Sequence, residues 1–491
     1  MAIAFNAIPI NLRVPGVYLE IDNSQAVQGL TEMPTRILVI GQMRPTGSAA
    51  PLTPIRILSA EQAADLFGRA SMLAHMLAAL KAANDFTETW AVGVEDLEAG
   101  AAASGALAFT GAASAAGTLN LYIGGRRLRV GVAAADAAAD IAAAVAAAIN
   151  ADRDLLVTAE VDDAETSKVN LTAAHKGECG NAIDLRVNYY DDETTPAGVT
   201  VTVTAMSGGT GNPDIADIIT AIGDEWFTDI VMPWTDAANL AVLVAELTDR
   251  FGPLRMIDGH AYAAVAGTHG EISAAGEALN SPHLSMIGYK GSPTPPWEWA
   301  AVLAAVCAFN LTQDPARPVQ TLALPGLLAP PIQDRFTLAE RNLLLYGGIS
   351  TFRVDAGGTV VIERVITTYR ETPFGSADPS LLDIETLKTL TYLRYDCRTY
   401  VARKYPRHKL ADDGTLFGPG QPIMTPKLMK AELIARFALW EERGLVEGRE
   451  QFKRDLIVER DLSDVNRLNA LIPPDIINQL RVFAGLVQFR L

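Results

Sequence analysis

GGTGNPDIADIITAI, Gly208 to Ile222, is followed closely by DIVMPW, Asp229 to Trp234. The first segment reads as a helix start, with Asn212 at the N-cap and Pro213 at the first helical position. The second reads as a short buried strand bounded by turn residues. Helix followed by buried strand is half of a βαβ repeat, and the same rhythm extends in both directions. Downstream, MIDGHAYAAV (Met256–Val265) and LSMIGY (Leu284–Tyr289) read as strands. Helices are expected near Asp236–Arg250, Glu271–Leu279 and from Trp297 onward. Upstream, TRILVIG (Thr35–Gly41), PIRILS (Pro54–Ser59) and TWAVGV (Thr89–Val94) are strand-like, and Ser59 with Gln62 suits a capping box. Alternating β and α elements imply a mostly parallel sheet covered on both faces.

Between these halves the texture changes. Ala101–Gly117 is almost all Ala, Gly and Ser. LNLYIGGRRLRVGV then reads as a hairpin turning at Gly124-Gly125, followed by an Ala-rich helix over Asp136–Asn150. Further strands are expected at Leu155–Val161, Ile183–Tyr189 and Thr200–Ala205. After the second half, Ser350–Tyr369 forms a hairpin about Gly357-Gly358 and the chain turns mainly helical. One long helix is expected from Ser380 to Tyr405. Another starts at Thr425-Pro426 and ends near Gly444, with Leu433, Phe437 and Trp440 on one face.

Both extremes of the chain read as strands. AIPINLRVPGVYLEID alternates on either side of Pro15-Gly16, a pair suited to a type II turn. In GLVQFRL, Val487, Phe489 and Leu491 alternate with Gln488 and Arg490. The expected fold class is therefore α/β: a doubly wound core with an inserted α+β domain, an α+β C-terminal domain and extended β-strand arms at both termini. The boundaries are 1–30 for the N-terminal arm, 31–95 and 213–370 for the core, and 96–212 for the insert. The C-terminal domain takes 371–475 and the C-terminal arm 476–491.

The chain has 491 residues with 57 acidic and 40 basic side chains, a net charge of −17. That balance speaks against nucleic-acid binding, which needs a basic footprint. The charge is uneven. Residues 1–370 hold 22 Lys/Arg against 40 Asp/Glu, whereas residues 371–491 hold 18 against 17. Cys179, Cys307 and Cys397 are odd in number and lack metal-type spacing, as expected of reduced thiols in a protein made in the cytosol. No signal peptide is legible at the N-terminus. The longest apolar run, Trp299–Phe309, is too short to span a bilayer and reads as a buried helix.

Tests for catalytic motifs give little. GTHG (Gly267–Gly270) has the look of a subtilase His motif, but no nucleophilic Ser motif follows it to complete a triad with His269. SGGTGNPD lacks the Gly-Lys-Ser/Thr ending of a phosphate loop, and GQMRPTGS is not a dinucleotide fingerprint. Asp258 and His260 are expected on one strand face, too few for a metal site. No catalytic residue, cofactor or metal is expected. One charged segment stands out. LRYDCRTYVARKYPRHK carries Arg394, Arg398, Arg403, Lys404, Arg407 and Lys409 against the single Asp396. It reads as a solvated helix end or as a contact for an acidic protein surface.

VPGVYLEID, GGTGNPDIADIITAIGDEWFTDIVMPWTDAANL, YPRHKLADDGT and NRLNALIPPDIINQLRVFAGLVQF, in this order, resemble the contractile-tail sheath proteins of Mu-type bacteriophages. The resemblance spans essentially the whole chain and is least distinct in the insert. It implies a subtilisin-like but non-catalytic core. It also implies polymerisation as stacked hexameric rings around a tail tube, and contraction that drives the tube through a bacterial envelope for genome delivery. The implied partners are the chain itself, the tail tube protein, and baseplate and tail terminator proteins, with no nucleic acid and no direct membrane insertion. The implied place is the virion tail, assembled in the host cytoplasm. The family's arms add strands to a sheet in neighbouring subunits. Here that role falls to Val17, Tyr18, Leu19 and Ile21 at one end and Val487, Phe489 and Leu491 at the other. The resemblance also puts the C-terminal domain against the tube and the insert outside. The alternatives are the sheath of a headless bacteriocin-like particle, a non-contractile shell protein, or an α/β hydrolase.

Overall fold

The computed structural model describes residues 14–19 and 29–490. The described chain forms two compact units. One comprises Thr35–Gln313 and Val319–Ile384; the other comprises the described residues up to Pro34, Asp314–Pro318 and those from Glu385 onward.

The larger unit opens on β1 (Arg36–Gln42), passes through β2 (Ile55–Ile57), α1 (Ala60–Phe67) and α2 (Met72–Ala83), and returns as β3 (Glu88–Val94), parallel to β1. The Ser59 hydroxyl caps α1 by accepting from the Gln62 N–H at 3.2 Å. The Gln62 amide oxygen in turn accepts from the Leu58 N–H at 2.7 Å, one residue outside the N-cap.

The chain then leaves the core sheet. It forms β4 (Ala102–Thr110), β5 (Gly117–Ile123), β6 (Arg126–Val132), α3 (Ala138–Ala151), β7 (Val157–Val161), β8 (Lys168–Lys176), β9 (Leu185–Val187) and β10 (Thr200–Ser207). Two antiparallel sheets result, ordered β10-β4-β8-β7 and β6-β5-β9. Gly124 and Gly125 join β5 to β6 at φ of 55° and 80°, the positive values a two-residue hairpin turn of type I′ demands. Strands β4 and β8 were not anticipated. The Ala-, Gly- and Ser-rich composition of β4 carries little strand propensity. Its place between β10 and β8 makes it a strand, with Ala103, Leu107 and Phe109 buried.

A polar knot joins this insert to the core strands. Asp96, just past β3, accepts from the Gln42 amide and from the His175 Nδ1–H, both at 2.7 Å, and from the Lys176 N–H at 2.9 Å. His175 Nε2 accepts the Met72 N–H at 3.1 Å, and the Cys179 thiol donates to the Gln42 amide oxygen at 3.0 Å. Burial, and then the Asp96 charge, push the Cys179 thiol up to about 12.

The chain returns through α4 (Ala216–Ile222), β11 (Asp229–Val231), α5 (Ala237–Phe251), β12 (His260–Ala266), α6 (His269–Glu277), β13 (Leu284–Tyr289), α7 (Pro296–Gln313), α8 (Leu338–Tyr346), β14 (Ile349–Val354) and β15 (Val360–Arg364). The core sheet is ordered β15-β14-β13-β12-β11-β1-β3-β2. It is parallel from β14 to β3 and antiparallel at both edges. The strand period of two divides each run between two cores. Ile37, Val39, Val231, Tyr262 and Ile287 face the cluster that holds α2 and α7, with Trp299 stacked on Tyr289 at 4.5 Å. Leu38, Ile40, Ile230, Ala261 and Met286 face the cluster that holds α4, α5, α6 and α8. Both faces are covered, which is why these strands read as unbroken apolar runs.

Two local expectations needed correction. Asn212 is not an N-cap: α4 begins four residues later, at Ala216. Its side chain instead accepts the Glu178 N–H at 3.1 Å and donates to Asp236 at 2.9 Å. The first helical N–H, of Ala216, goes to the Asp214 carboxylate at 2.8 Å. Asn239 of α5 ties down the segment before the helix by accepting the Ile215 N–H at 2.9 Å and donating to the Pro213 carbonyl at 3.0 Å. Asp258 and His260 do not share a strand, since β12 starts only at His260.

The smaller unit contains most of α9 (Ile384–Lys404), then β16 (Lys409–Leu410), β17 (Ile423–Met424), α10 (Pro426–Glu442), β18 (Val446–Glu447), α11 (Arg449–Asp455), β19 (Ile457–Arg460), β20 (Leu468–Leu471) and β21 (Asp475–Ile476). Thr425 caps α10 with Pro426 in its first turn, as the sequence suggests. Tyr392, Leu393, Leu433, Phe437, Trp440, Phe452 and Leu456 form its core, and Phe437 stacks on Phe452 at 4.1 Å.

Candidate assembly site

His269 and His260 each pack against a neighbouring element of the larger unit. His269 opens α6, where its Nε2 meets the Glu340 carbonyl at 3.1 Å and its ring meets Phe336 edge-on at 5.7 Å. His260 is buried with its Nε2 2.9 Å from the Ser285 hydroxyl, between β12 and β13. Among the described residues no group of three or more His, Cys, Asp or Glu could hold a metal ion. None of the described helices is long and apolar enough to cross a membrane. The three cysteines are free thiols.

The basic segment spans the C-terminal half of α9 and the turn after it. Its members differ. Arg394 and Arg398 are half-buried along the helix, and Arg398 lies 5.9 Å from the Tyr395 ring centroid. Lys404 donates to Glu432 of α10 at 2.7 Å and to the Tyr400 hydroxyl at 2.8 Å. Burial alone would lower the Lys404 ammonium, but Glu432 and Tyr400 together raise it above the usual lysine range. Lys409 donates to the Gln421 amide at 2.8 Å. Arg403 and Arg407 are exposed and make no ion pair among the described residues. Asp396 does not temper this surface, because it is fully buried.

Asp396 organises the unit from inside. It accepts from Arg436 Nε at 2.6 Å and again from Arg436 Nη2, from Trp440 Nε1 at 2.7 Å, and from the Thr31 N–H at 2.9 Å. Arg436 Nη1 donates onward to the Gly29 carbonyl at 3.2 Å. The sequence did hold a signal for this hub. Arg436 lies three residues after Leu433 and four before Trp440, on the apolar stripe of α10, where an arginine requires a buried acid.

Both arms emerge from this unit. Of the N-terminal arm, residues 14–19 are described, and Val17 and Leu19 are 90% and 89% exposed. Gly16 does not take the positive φ of the expected type II turn. The Tyr18 ring instead lies over it, where a Cβ would come within 2.9 Å, and the Tyr18 hydroxyl donates to the Val14 carbonyl at 3.2 Å. Ile21 lies outside the described residues. At the other end, β21 pairs with β18, and the Ile477 N–H donates to the Leu445 carbonyl at 3.2 Å. From Val482 to Arg490 every residue is exposed and none pairs in a ladder, with Val487 at 88% and Phe489 at 81%. Leu491 lies outside the described residues. The hairpin β19–β20 is a two-stranded sheet with both outer edges unpaired among the described residues.

The central-domain model of phage tail sheath proteins matches residues 208–368, and the C-terminal-domain model of the same proteins matches residues 376–490. The Mu-like prophage FluMu tail sheath protein of Haemophilus influenzae is 44% identical over 489 residues, covering 100% of both chains. A sheath tail protein from Desulfitobacterium hafniense is 14% identical with a TM-score of 0.48, covering 94% of this chain and 100% of that one. The helical sheath of the anti-feeding prophage in its contracted state is 11% identical with a TM-score of 0.49, covering 98% and 99%.

Proposed function

Since this chain belongs to the phage tail sheath family, we propose that it is a structural and mechanical component of a virion tail. It polymerises as stacked hexameric rings around the tail tube. On a baseplate signal it contracts and drives the tube through the bacterial envelope. The chain works without catalysis, and its parallel sheet serves as the family's subtilisin-like core. Its partners are further copies of itself, the tube protein, and the baseplate and terminator proteins.

The observation that carries this reading is the pair of exposed, alternating apolar arms leaving one well-packed unit. Such arms are built for strand addition, in which main-chain hydrogen bonds supply affinity and alternate side chains set register. Hairpin β19–β20, with an open edge on either side, is the acceptor in this reading, one edge for each kind of arm. A heterologous contact that does not close on itself propagates a helix.

Magnitudes explain why assembly is collective. Burying Val487, Phe489 and Leu491 returns roughly 1.5–3 kcal/mol each, and main-chain bonds about 1 kcal/mol each. Ordering seven residues costs about 1–2 kcal/mol apiece. One arm is therefore near break-even, and only a lattice that holds many arms at high effective concentration makes them stable. Arms of this kind keep subunits connected while their rigid bodies rotate and shift. Negative-stain electron microscopy of the purified protein tests the reading. Long striated tubes are expected; monodisperse globules at every concentration would refute it.

A further inference from the structure

Resting on the sheath reading, we infer that helix α9 is the mechanical link between the two arms of a single chain. Asp396 anchors the root of the N-terminal arm and Glu385 anchors the root of the C-terminal arm.

The N-terminal root is residues 29–33. The Thr31 N–H donates to Asp396 at 2.9 Å, and the Gly29 carbonyl accepts from Arg436 at 3.2 Å. Leu30 and Met33 pack beside these bonds on the core of the smaller unit. The C-terminal root is residues 475–481. Arg481 donates to Glu385 at 2.7 Å, and the Glu385 side chain is 0% exposed. One residue beyond Arg481 the chain is exposed and stays so through Arg490.

Glu385 and Asp396 lie on the same helix. Eleven residues separate them, close to three turns at about 3.6 residues each, so their side chains leave on nearly the same face. The two anchors are about 16 Å apart along the axis at a rise of 1.5 Å per residue. A charged, buried anchor suits a root under tension. Pulling the N-terminal arm free would take the Thr31 N–H from buried Asp396 and the Gly29 carbonyl from Arg436. Pulling the C-terminal arm free would take the Arg481 cation from buried Glu385. Each is a charge-assisted bond that is costly to lose in a dry core. Tension entering by one arm therefore passes along α9 and leaves by the other. The two anchors act in series.

Series behaviour separates this link from two independent stabilising contacts. The test uses the whole chain with Asp396→Asn, Arg481→Gln and the double variant. Sheath length after mild shear is measured by negative-stain microscopy, and amide exchange at Thr31 by mass spectrometry. Asp396→Asn should speed Thr31 exchange about tenfold or more, the factor that losing a charge-assisted hydrogen bond carries. Arg481→Gln should leave Thr31 unchanged. Each single variant should give severalfold shorter sheaths, and the double variant should be no shorter than the worse single, because a series link fails at its weaker anchor. Multiplying losses in the double variant, or full-length sheaths from either single, would overturn the inference. Arg436→Lys keeps the cation but loses the two-pronged bond, and it replaces Asp396→Asn if circular dichroism shows that variant unfolded. A wild-type chain that forms no polymer would instead refute the sheath reading, since that failure appears with both anchors intact.

Discussion

Asp396 of α9 and Arg436 of α10 form a two-pronged ion pair in which the side chains are 0% and 4% exposed. Trp440 and the Thr31 backbone complete the carboxylate's partners. A buried pair of this kind adds little beyond an apolar core, but removing one partner leaves the other charge stranded. Arg436→Met should therefore destabilise the smaller unit by about 3–5 kcal/mol. Thermal unfolding followed by tryptophan fluorescence checks this. A melting temperature within a degree or so of wild type would contradict the role given to the pair.

The C-terminal segment should be dispensable for folding and necessary for assembly. Deleting Gly485–Leu491 removes residues that are exposed wherever they are described, so the monomer should keep its melting temperature. It should fail to form long tubes. Phe489→Asp should act alike by placing a charge on the face that a neighbour buries. Gln488→Lys, on the opposite face, should assemble normally. Sedimentation with microscopy distinguishes the three, and contractile full-length sheaths from the truncated chain would remove the arm from the assembly scheme.

Arg403 and Arg407, two cations of the basic segment, face solvent with no ion pair among the described residues, whereas Lys409 is exposed but donates to the Gln421 amide. Arg403→Glu with Arg407→Glu should weaken co-assembly with the tube protein and leave the monomer intact. Added salt should mimic this in part, since screening acts over about 10 Å at moderate ionic strength. Lys404→Glu is not a clean probe, because it opposes Glu432 at 2.7 Å and should destabilise the monomer itself. Unchanged co-assembly of the Arg403/Arg407 variant would leave these residues as a solvated helix end.

The knot at Asp96 should make the junction of the insert acid-sensitive. Burial raises this carboxyl, but His175, the Lys176 N–H and the Gln42 amide together hold it below the usual range. A carboxylate whose folded pKa is depressed stabilises above its unfolded pKa, about 3.9 for Asp. That stabilisation is lost as the pH falls through the lower folded value. Exchange at the Lys176 amide should thus be flat, after correction for intrinsic rates, down to about pH 4 and rise steeply below it. Asp96→Asn should already weaken the junction near neutral pH, by about 1.5–3 kcal/mol. A variant as protected as wild type would show that the knot is not held by charge.

Much of this protein is legible in one dimension. The alternation of strands and helices from Thr35 onward, the apolar runs of β1, β12 and β13, the Gly124-Gly125 hairpin and the Thr425 cap follow from periodicity and turn chemistry, which act over a few residues. The alternation of the arms is read the same way, but residues 14–19 and 482–490 lie in no strand of the described chain. What tertiary structure alone decided was partnership across long separations. Asn212 is not a cap because its side chain is drawn to the Glu178 N–H and to Asp236, 34 and 24 residues away in sequence. The Ala-rich segment Ala102–Thr110 became a strand because β8 and β10 flank it. Asp396, which in sequence looks like a break in a basic run, faces inward because Arg436, forty residues on, and Thr31, 365 residues before it, both converge on it. Local propensity is set by neighbours along the chain. A buried charge is placed by whichever partners the fold brings within about 3 Å, and no sequence spacing encodes that convergence.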